Sequence, residues 1–215
     1  MSKKNREMKL GAFIMNTGHH VASWRHPEVE ANNLLNFEFY KKVAETAERG
    51  KFDMMFLADG YAVSRSNNII SEQRLHATFE PFTILSAIAA VTKNLGVVGT
   101  VSTTFNEPFN VARKFASLDH LSSGRAGWNV VTSNTEEEAQ NFNLKQHLLH
   151  SDRYDRAEEF VDVVKKLWDS WEDEAIIYDK EKARLADASK IHAVNHEGKW
   201  FSVAGPLNIS RPVQG

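Results

Sequence analysis

Short runs of consecutive apolar residues alternate along the chain with longer stretches whose apolar positions recur every three to four residues. That alternation is the pattern of parallel strands covered on both faces by amphipathic helices. The runs at 9–15, 53–58, 95–101 and 126–132 predict four strands, and the stretches at 36–49, 81–94, 106–124 and 152–171 predict four helices. Gly50 stands where a helix C-terminus favours glycine, Pro81 and Pro108 stand where a first helical turn tolerates proline, and Gly124 closes the third helix. In the fourth, Ala157, Phe160, Val161, Val164, Leu167, Trp168 and Trp171 fall on one stripe opposite Asp, Glu and Lys, which makes the stripe core packing.

Four βα units in a row, followed by an insertion, predict an α/β fold with a parallel sheet. The insertion is a hairpin at 196–205, and no repeat or linker divides the chain, so residues 1–215 read as a single domain. Helix-to-strand links are short, whereas the links after strands one, two and four are about twenty residues long. In such folds the loops leaving the carboxyl ends of the strands build the site. If the sheet is part of a barrel, Phe13, Phe56, Val98 and Val130 read as inward-facing residues without opposing strands, and an uncovered apolar face of that kind predicts either a homo-oligomer or a need for the remainder of a longer protein.

Composition narrows the classes. Lys+Arg 26 against Asp+Glu 28 leaves a formal charge of −2 in 215 residues, which gives nucleic acid no electrostatic footing, while 42% hydrophobic and 25% charged residues suit a globular domain. The absence of cysteine removes disulfides, thiolate nucleophiles and Cys-ligated metals. No apolar segment follows the basic opening Lys3-Lys4-Asn5-Arg6, so the expected location is the cytoplasm. No apolar run reaches the ~18–20 residues of a membrane-spanning helix.

Polar residues gather at the expected strand ends: Asn16, His19 and His20 after the first strand, Asp59 after the second, Thr100, Ser102, Thr103 and Thr104 at the third, Asn129, Thr132 and Ser133 at the fourth. His147 and His150 precede the fourth helix, whose first turn carries Arg153 and Tyr154 and points free N–H groups at any anion placed there. Each alone is as well explained by a turn or cap; their convergence carries the reading. His147-x-x-His150 and His192-x-x-x-His196 lack the glutamate of a zinc-hydrolase signature, so no metal is expected. Gly96-Val-Val-Gly99 and Gly124-Arg-Ala-Gly127 lack the spacing of phosphate loops and read as close packing at strand starts. Ser122-Ser123-Gly124 precedes a strand, which is the wrong order for a nucleophile elbow. Trp24 and Trp128 could wall a pocket or fill a core.

Several blocks carry a resemblance: Trp24-Arg25-His26-Pro27, Phe56-Leu-Ala-Asp59-Gly60, Phe79-Glu80-Pro81, Gly99-Thr100-Val-Ser102-Thr103, Glu107-Pro108-Phe109, Ser117-Leu-Asp119-His120-Leu-Ser-Ser-Gly124-Arg125-Ala-Gly127-Trp128-Asn129, Arg153-Tyr154 and Gly205-Pro206-Leu207-Asn208. Together, and in order over nearly the whole chain, they resemble the nitrilotriacetate, EDTA and dibenzothiophene-sulfone monooxygenase branch of the bacterial-luciferase-like flavin monooxygenases. The resemblance implies an α/β fold of the (β/α)8 TIM-barrel type, here its first four βα units plus an insertion (a partial barrel), and a two-component enzyme. Reduced FMN comes from a separate NAD(P)H-dependent flavin reductase, O2 reacts at the flavin C4a carbon to give a peroxide, and one oxygen atom enters a small organic substrate. It implies cofactor contacts from Asp59, Thr100, His150, Arg153 and Tyr154, catalytic roles for His20 and Asn129, and pocket walls from Trp24, Phe56 and Trp128. Members of the branch are about twice this length, so the chain resembles their amino-terminal half. A deazaflavin-dependent oxidoreductase of the same fold, or a non-catalytic flavin-binding or oligomerising half-barrel, are the alternatives.

Overall fold

The computed structural model describes residues 7–15, 18–30, 32–63, 65, 66, 69–72, 75 and 77–215. Asn16, expected among the polar residues after the first strand, lies outside the described residues. Two compact units are formed, Met1–Asp59 with Val63–Gly99, and Gly60–Ala62 with Thr100–Gly215.

The first unit contains β1 (Gly11–Ile14), α1 (Phe37–Arg49), β2 (Met54–Leu57), the small antiparallel pair β3 (Arg65–Ser66) and β4 (Ile69–Ile70), α2 (Pro81–Val91) and the first half of β5 (Gly96–Ser102). β1, β2 and β5 pair in parallel, in a register that aligns Phe13 with Phe56 and Phe56 with Val98. The face toward the helices is closed, with Met55 and Val97 at 0% exposure and Leu57 buried. The Phe13–Phe56–Val98 row is open by comparison, Phe13 being 43% exposed and the other two half-buried.

Helix boundaries follow from named caps. The Asn36 side chain accepts from Glu38 N–H at the start of α1, and the Glu80 carboxylate accepts from Phe82 and Thr83 N–H at the start of α2, ahead of Pro81 in its first turn. Two expected ends are corrected. Gly50 does follow α1, but with φ −74°; the left-handed residue is Lys51, at φ 61°. α2 stops at Val91 rather than 94, because one Glu48 oxygen of α1 takes the N–H groups of Lys93, Asn94 and Leu95 at 2.8, 2.6 and 3.1 Å and shapes them into a turn. Glu48→Ala therefore leaves three donors without that acceptor and lowers stability by about 1–3 kcal/mol, read as a shifted midpoint in urea unfolding. The glycines of Gly96-Val-Val-Gly99 serve close packing as expected. A Cβ on Gly99 would lie 2.9 Å from Leu85 and 3.1 Å from Pro81, and one on Gly96 would lie 2.9 Å from the Asp53 carbonyl.

The second unit contains the end of β5, then α3 (Pro108–Ser122), β6 (Ala126–Val131), the short α4 (Glu136–Gln140), α5 (His150–Trp168) and two antiparallel hairpins, β7 (Ile176–Asp179) with β8 (Arg184–Ala186) and β9 (His196–Glu197) with β10 (Ser202–Val203). With β6 added, the parallel sheet has the order β1-β2-β5-β6. The expected hairpin at 196–205 is present; α4 and the β7–β8 hairpin were not foreseen. Phe115, Leu118, Phe160, Val163, Val164 and Leu167 of α3 and α5 form the buried core, and the Trp168 indole N–H donates to the Ala112 carbonyl at 2.9 Å. Among the described residues no helix is long and apolar enough to cross a membrane.

The β9–β10 hairpin is fastened to α5. Glu159 accepts from His196 Nε2 at 3.0 Å and from the N–H groups of Trp200 and Phe201, while Asp155 accepts from the Lys199 ammonium at 2.6 Å and the Trp200 indole at 3.0 Å. Burial raises the Glu159 carboxyl pKa, but the His196 hydrogen bond and the two backbone donors outweigh it and hold the group below the ordinary glutamate value. A lowered pKa contributes stability that is complete above the ordinary glutamate range and is lost as pH falls through the lowered value. The hairpin should thus loosen on acidification below that range, with a change in tryptophan emission that Trp200→Phe diminishes.

Candidate functional site

Residues in a strand alternate between faces, and one hydrogen bond fixes the parity of β6. Asn129 Nδ2 donates to Thr100 Oγ1 at 3.0 Å, placing Asn129 on the same face as Thr100. Thr100 is 4% exposed and Asn129 half-buried, so the two side chains form a polar pair near the carboxyl ends of β5 and β6. Trp128, one residue earlier, faces the other way. Its ring lies 5.4 Å from Phe115 and 5.9 Å from Phe160, and its indole N–H reaches the Val101 carbonyl at 3.0 Å. Trp128 is therefore core on the helix side and not a wall beside Asn129, which corrects that expectation. The same parity corrects Val130, expected to face inward: it shares with Ala157 and Val161 of α5 a groove on the helix side.

Beyond the strand ends lies a network little of which the sequence announced. Thr103 N–H donates to the Val131 carbonyl and Thr104 Oγ1 to the Thr132 carbonyl, joining the two strand exits. Ser133 then adopts a left-handed conformation (φ 53°), a conformation a non-glycine residue holds only when its surroundings impose it. Three groups do so: its hydroxyl bonds Ser102 Oγ at 3.0 Å and Glu138 Oε1 at 3.4 Å, and its carbonyl accepts from the Arg153 guanidinium. Glu138, 8% exposed, closes a capping box with Thr135 at the start of α4 and accepts the Tyr61 N–H at 3.1 Å. Tyr61 in turn packs with Phe105 and Phe142, whose rings stack 4.7 Å apart, and takes a hydrogen bond from Asn106 Nδ2 at 2.9 Å.

The start of α5 supplies a second cluster. His150 opens the helix, and its ring lies 4.7 Å from that of Tyr154, one turn on, which is 57% exposed. The two rings stand in the first turns of α5, at the end of the helix where negative charge is favoured. Arg153, expected as a helper there, is instead committed to the Ser133 carbonyl, and its Nε is buried with no partner among the described residues. The His147 ring packs at 5.4 Å from Phe105, with both nitrogens buried and unpartnered among the described residues. Burial lowers the pKa of the neighbouring Arg156, an effect opposed by the charges of Glu107 and Glu159.

Four expected site residues belong to the first unit. Asp59 is half-buried two residues past the end of β2. Phe56 stacks at 4.7 Å on Phe13, which also meets the His19 ring at 4.8 Å. His20 is exposed and uses Nδ1 to accept the Ala22 N–H at 3.1 Å, and Trp24, 43% exposed, sits in a single 3-10 turn.

Known proteins resemble nearly all of this chain. The family model described as luciferase-like monooxygenase matches residues 8–215. N-acetyl-S-(2-succino)cysteine monooxygenase of Bacillus subtilis (strain 168) is 54% identical over 100% of this chain and 48% of its own length. Nitrilotriacetate monooxygenase component A of Aminobacter aminovorans is 47% identical over 98% of this chain and 48% of its own. Among solved structures, long-chain alkane monooxygenase superposes with a TM-score of 0.90 at 38% identity over 97% of this chain and 50% of the other. Riboflavin lyase, determined with modified FMN and riboflavin, gives 0.89 at 34% identity over 97% and 48%. The chain spans about half the length of the curated relatives it matches. It belongs to the luciferase-like monooxygenase family, as the amino-terminal half of a TIM barrel with four βα units.

Proposed function

We propose that this chain is the FMN-binding portion of a two-component monooxygenase that inserts one atom of O2 into a small organic substrate. The observation that carries the reading is the Thr100–Asn129 pair at the strand ends of the same unit whose α5 presents His150 and Tyr154. Thr100 and Asn129 would offer hydrogen bonds to the flavin ring; for Asp59, in the first unit, the resemblance alone supports a cofactor contact. His150 and Tyr154 would meet the ribityl-phosphate side, where the N-terminus of α5 favours negative charge. Reduced FMN, when bound, supplies the activation of O2. The residues named here would bind and orient it. His20, with Trp24 and Phe56, is assigned to the substrate side. Two relatives act on carboxylate-bearing molecules, N-acetyl-S-(2-succino)cysteine and nitrilotriacetate, which makes a small organic acid the first substrate to try.

A separate NAD(P)H:flavin reductase is the proposed electron donor, the cytoplasm the proposed location, and residues 1–215 one luciferase-like domain. The open Phe13–Phe56–Val98 row supports a homo-oligomer, which sedimentation over a range of concentrations would detect; a stable monomer that binds no hydrophobic dye would refute it.

Titration with FMN and reduced FMN, followed by oxygen uptake with NADH and a flavin reductase, tests the function. Saturable binding and substrate-dependent uptake are expected. Binding without uptake would leave a non-catalytic flavin-binding half-barrel. Tyr154→Phe removes one hydroxyl contact at a partly exposed site and should weaken FMN by about 1 kcal/mol, or roughly fivefold. Equilibrium dialysis reads this, and an unchanged affinity removes Tyr154 from the site.

A further inference from the structure

We infer that Arg156 is a positioning residue for the phosphate side of the proposed flavin site, held in place by the β9–β10 hairpin. The inference rests on the flavin reading and adds to it a residue that touches no ligand. Arg156 lies two residues beyond Tyr154 on α5, and its guanidinium leaves the helix to donate to the Thr103 carbonyl and, at 3.4 Å, to the Asn106 carbonyl. These are main-chain groups immediately past the carboxyl end of β5, and Asn106 also donates to the Ser102 carbonyl at 2.8 Å and to the Tyr61 hydroxyl. A planar fork that meets two carbonyls at once fixes direction as well as distance. It sets where the first turns of α5, and with them His150 and Tyr154, stand relative to the strand that carries Thr100.

The hairpin completes the arrangement. The Phe201 ring lies 4.5 Å from the Arg156 guanidinium carbon, and Phe201 is itself only 6% exposed and anchored by its N–H on Glu159 at 2.9 Å. A stacked aromatic face shields the guanidinium from water and favours the one orientation in which both carbonyls are reached. Lysine preserves the charge, but as a single point donor it cannot reproduce the fork.

Affinity for FMN and for riboflavin, which lacks the phosphate, distinguishes positioning from general support. The unaltered chain is expected to prefer FMN. Arg156→Lys should reduce the ratio of FMN to riboflavin affinity by about tenfold, leaving riboflavin binding nearly unchanged, because the loss is confined to the phosphate side. A merely structural role would weaken both ligands together. Phe201→Leu, which keeps the fork and removes its aromatic cover, should lower the same ratio by about threefold. Circular dichroism monitors folding, and if Arg156→Lys fails to fold, Phe201→Leu decides the matter. A preference for FMN that survives in the variants overturns the role of Arg156 and leaves the flavin reading intact. An unaltered chain that binds neither flavin overturns the flavin reading, and this inference with it.

Discussion

Phe160→Ala lowers the free energy of unfolding by about 3–5 kcal/mol, a large part of the ~5–15 kcal/mol that holds a typical domain. Phe160 is fully buried in α5, lies 5.9 Å from Trp128 and 5.4 Å from Phe201, and stands beneath the Arg156 guanidinium at 5.9 Å. Sheet, helix and hairpin therefore all lose contact with one truncation, and none of them can collapse into the vacancy without moving another. Urea unfolding followed by tryptophan emission measures the loss. Phe160→Leu, which retains most of the volume, should cost less than half as much, and equal costs for the two substitutions would contradict this packing.

Glu138→Ala is expected to cost about 2–3 kcal/mol, since it removes a buried carboxylate that several partly buried donors share. Tyr61 N–H, Thr135 N–H and the hydroxyls of Thr135 and Ser133 all turn to this carboxylate. Ser133 would then hold its left-handed backbone with one constraint fewer, and the exits of β5 and β6 would lose definition. Hydrogen exchange at the Tyr61 and Thr135 amides should accelerate far more than exchange in α3, and uniform acceleration would show that Glu138 supports the whole unit rather than the strand exits.

The four βα units were legible because parallel strands buried on both faces write themselves as apolar runs, and because Pro81 and Pro108 mark helix starts with little ambiguity. What escaped did so for local reasons. α4 has five residues, too few for a helical period, although Thr135-x-x-Glu138 is a readable capping box. β7 carries no alternation because a register shift falls within it, with Tyr178 at φ 50°. The end of α2 depended on Glu48, more than forty residues away in the chain. Thr100 and Asn129 stand out in the sequence by their place at strand ends, whereas Ser133 and Arg156 rely on backbone groups that leave no motif, and Glu138 shows only through its capping box. The error at Trp128 was avoidable: adjacent residues of a strand cannot both face one pocket, and Asn129 had the stronger claim.

The sheet order repeats the order of synthesis, and this shapes how the chain can fold. Each pairing in the parallel sheet joins a strand to the preceding parallel strand, Gly11 to Met54 across 43 residues and Met54 to Gly96 across 42, while Thr103 reaches Val131 across 28. Parallel sheets whose neighbours are distant in sequence assemble slowly, because a long loop must close before any contact rewards it. Among the described strands of this sheet, no pairing waits for a segment not yet made. During translation, a βα unit emerging from the ribosome meets its docking edge already in place, so that growth proceeds from the amino terminus one unit at a time.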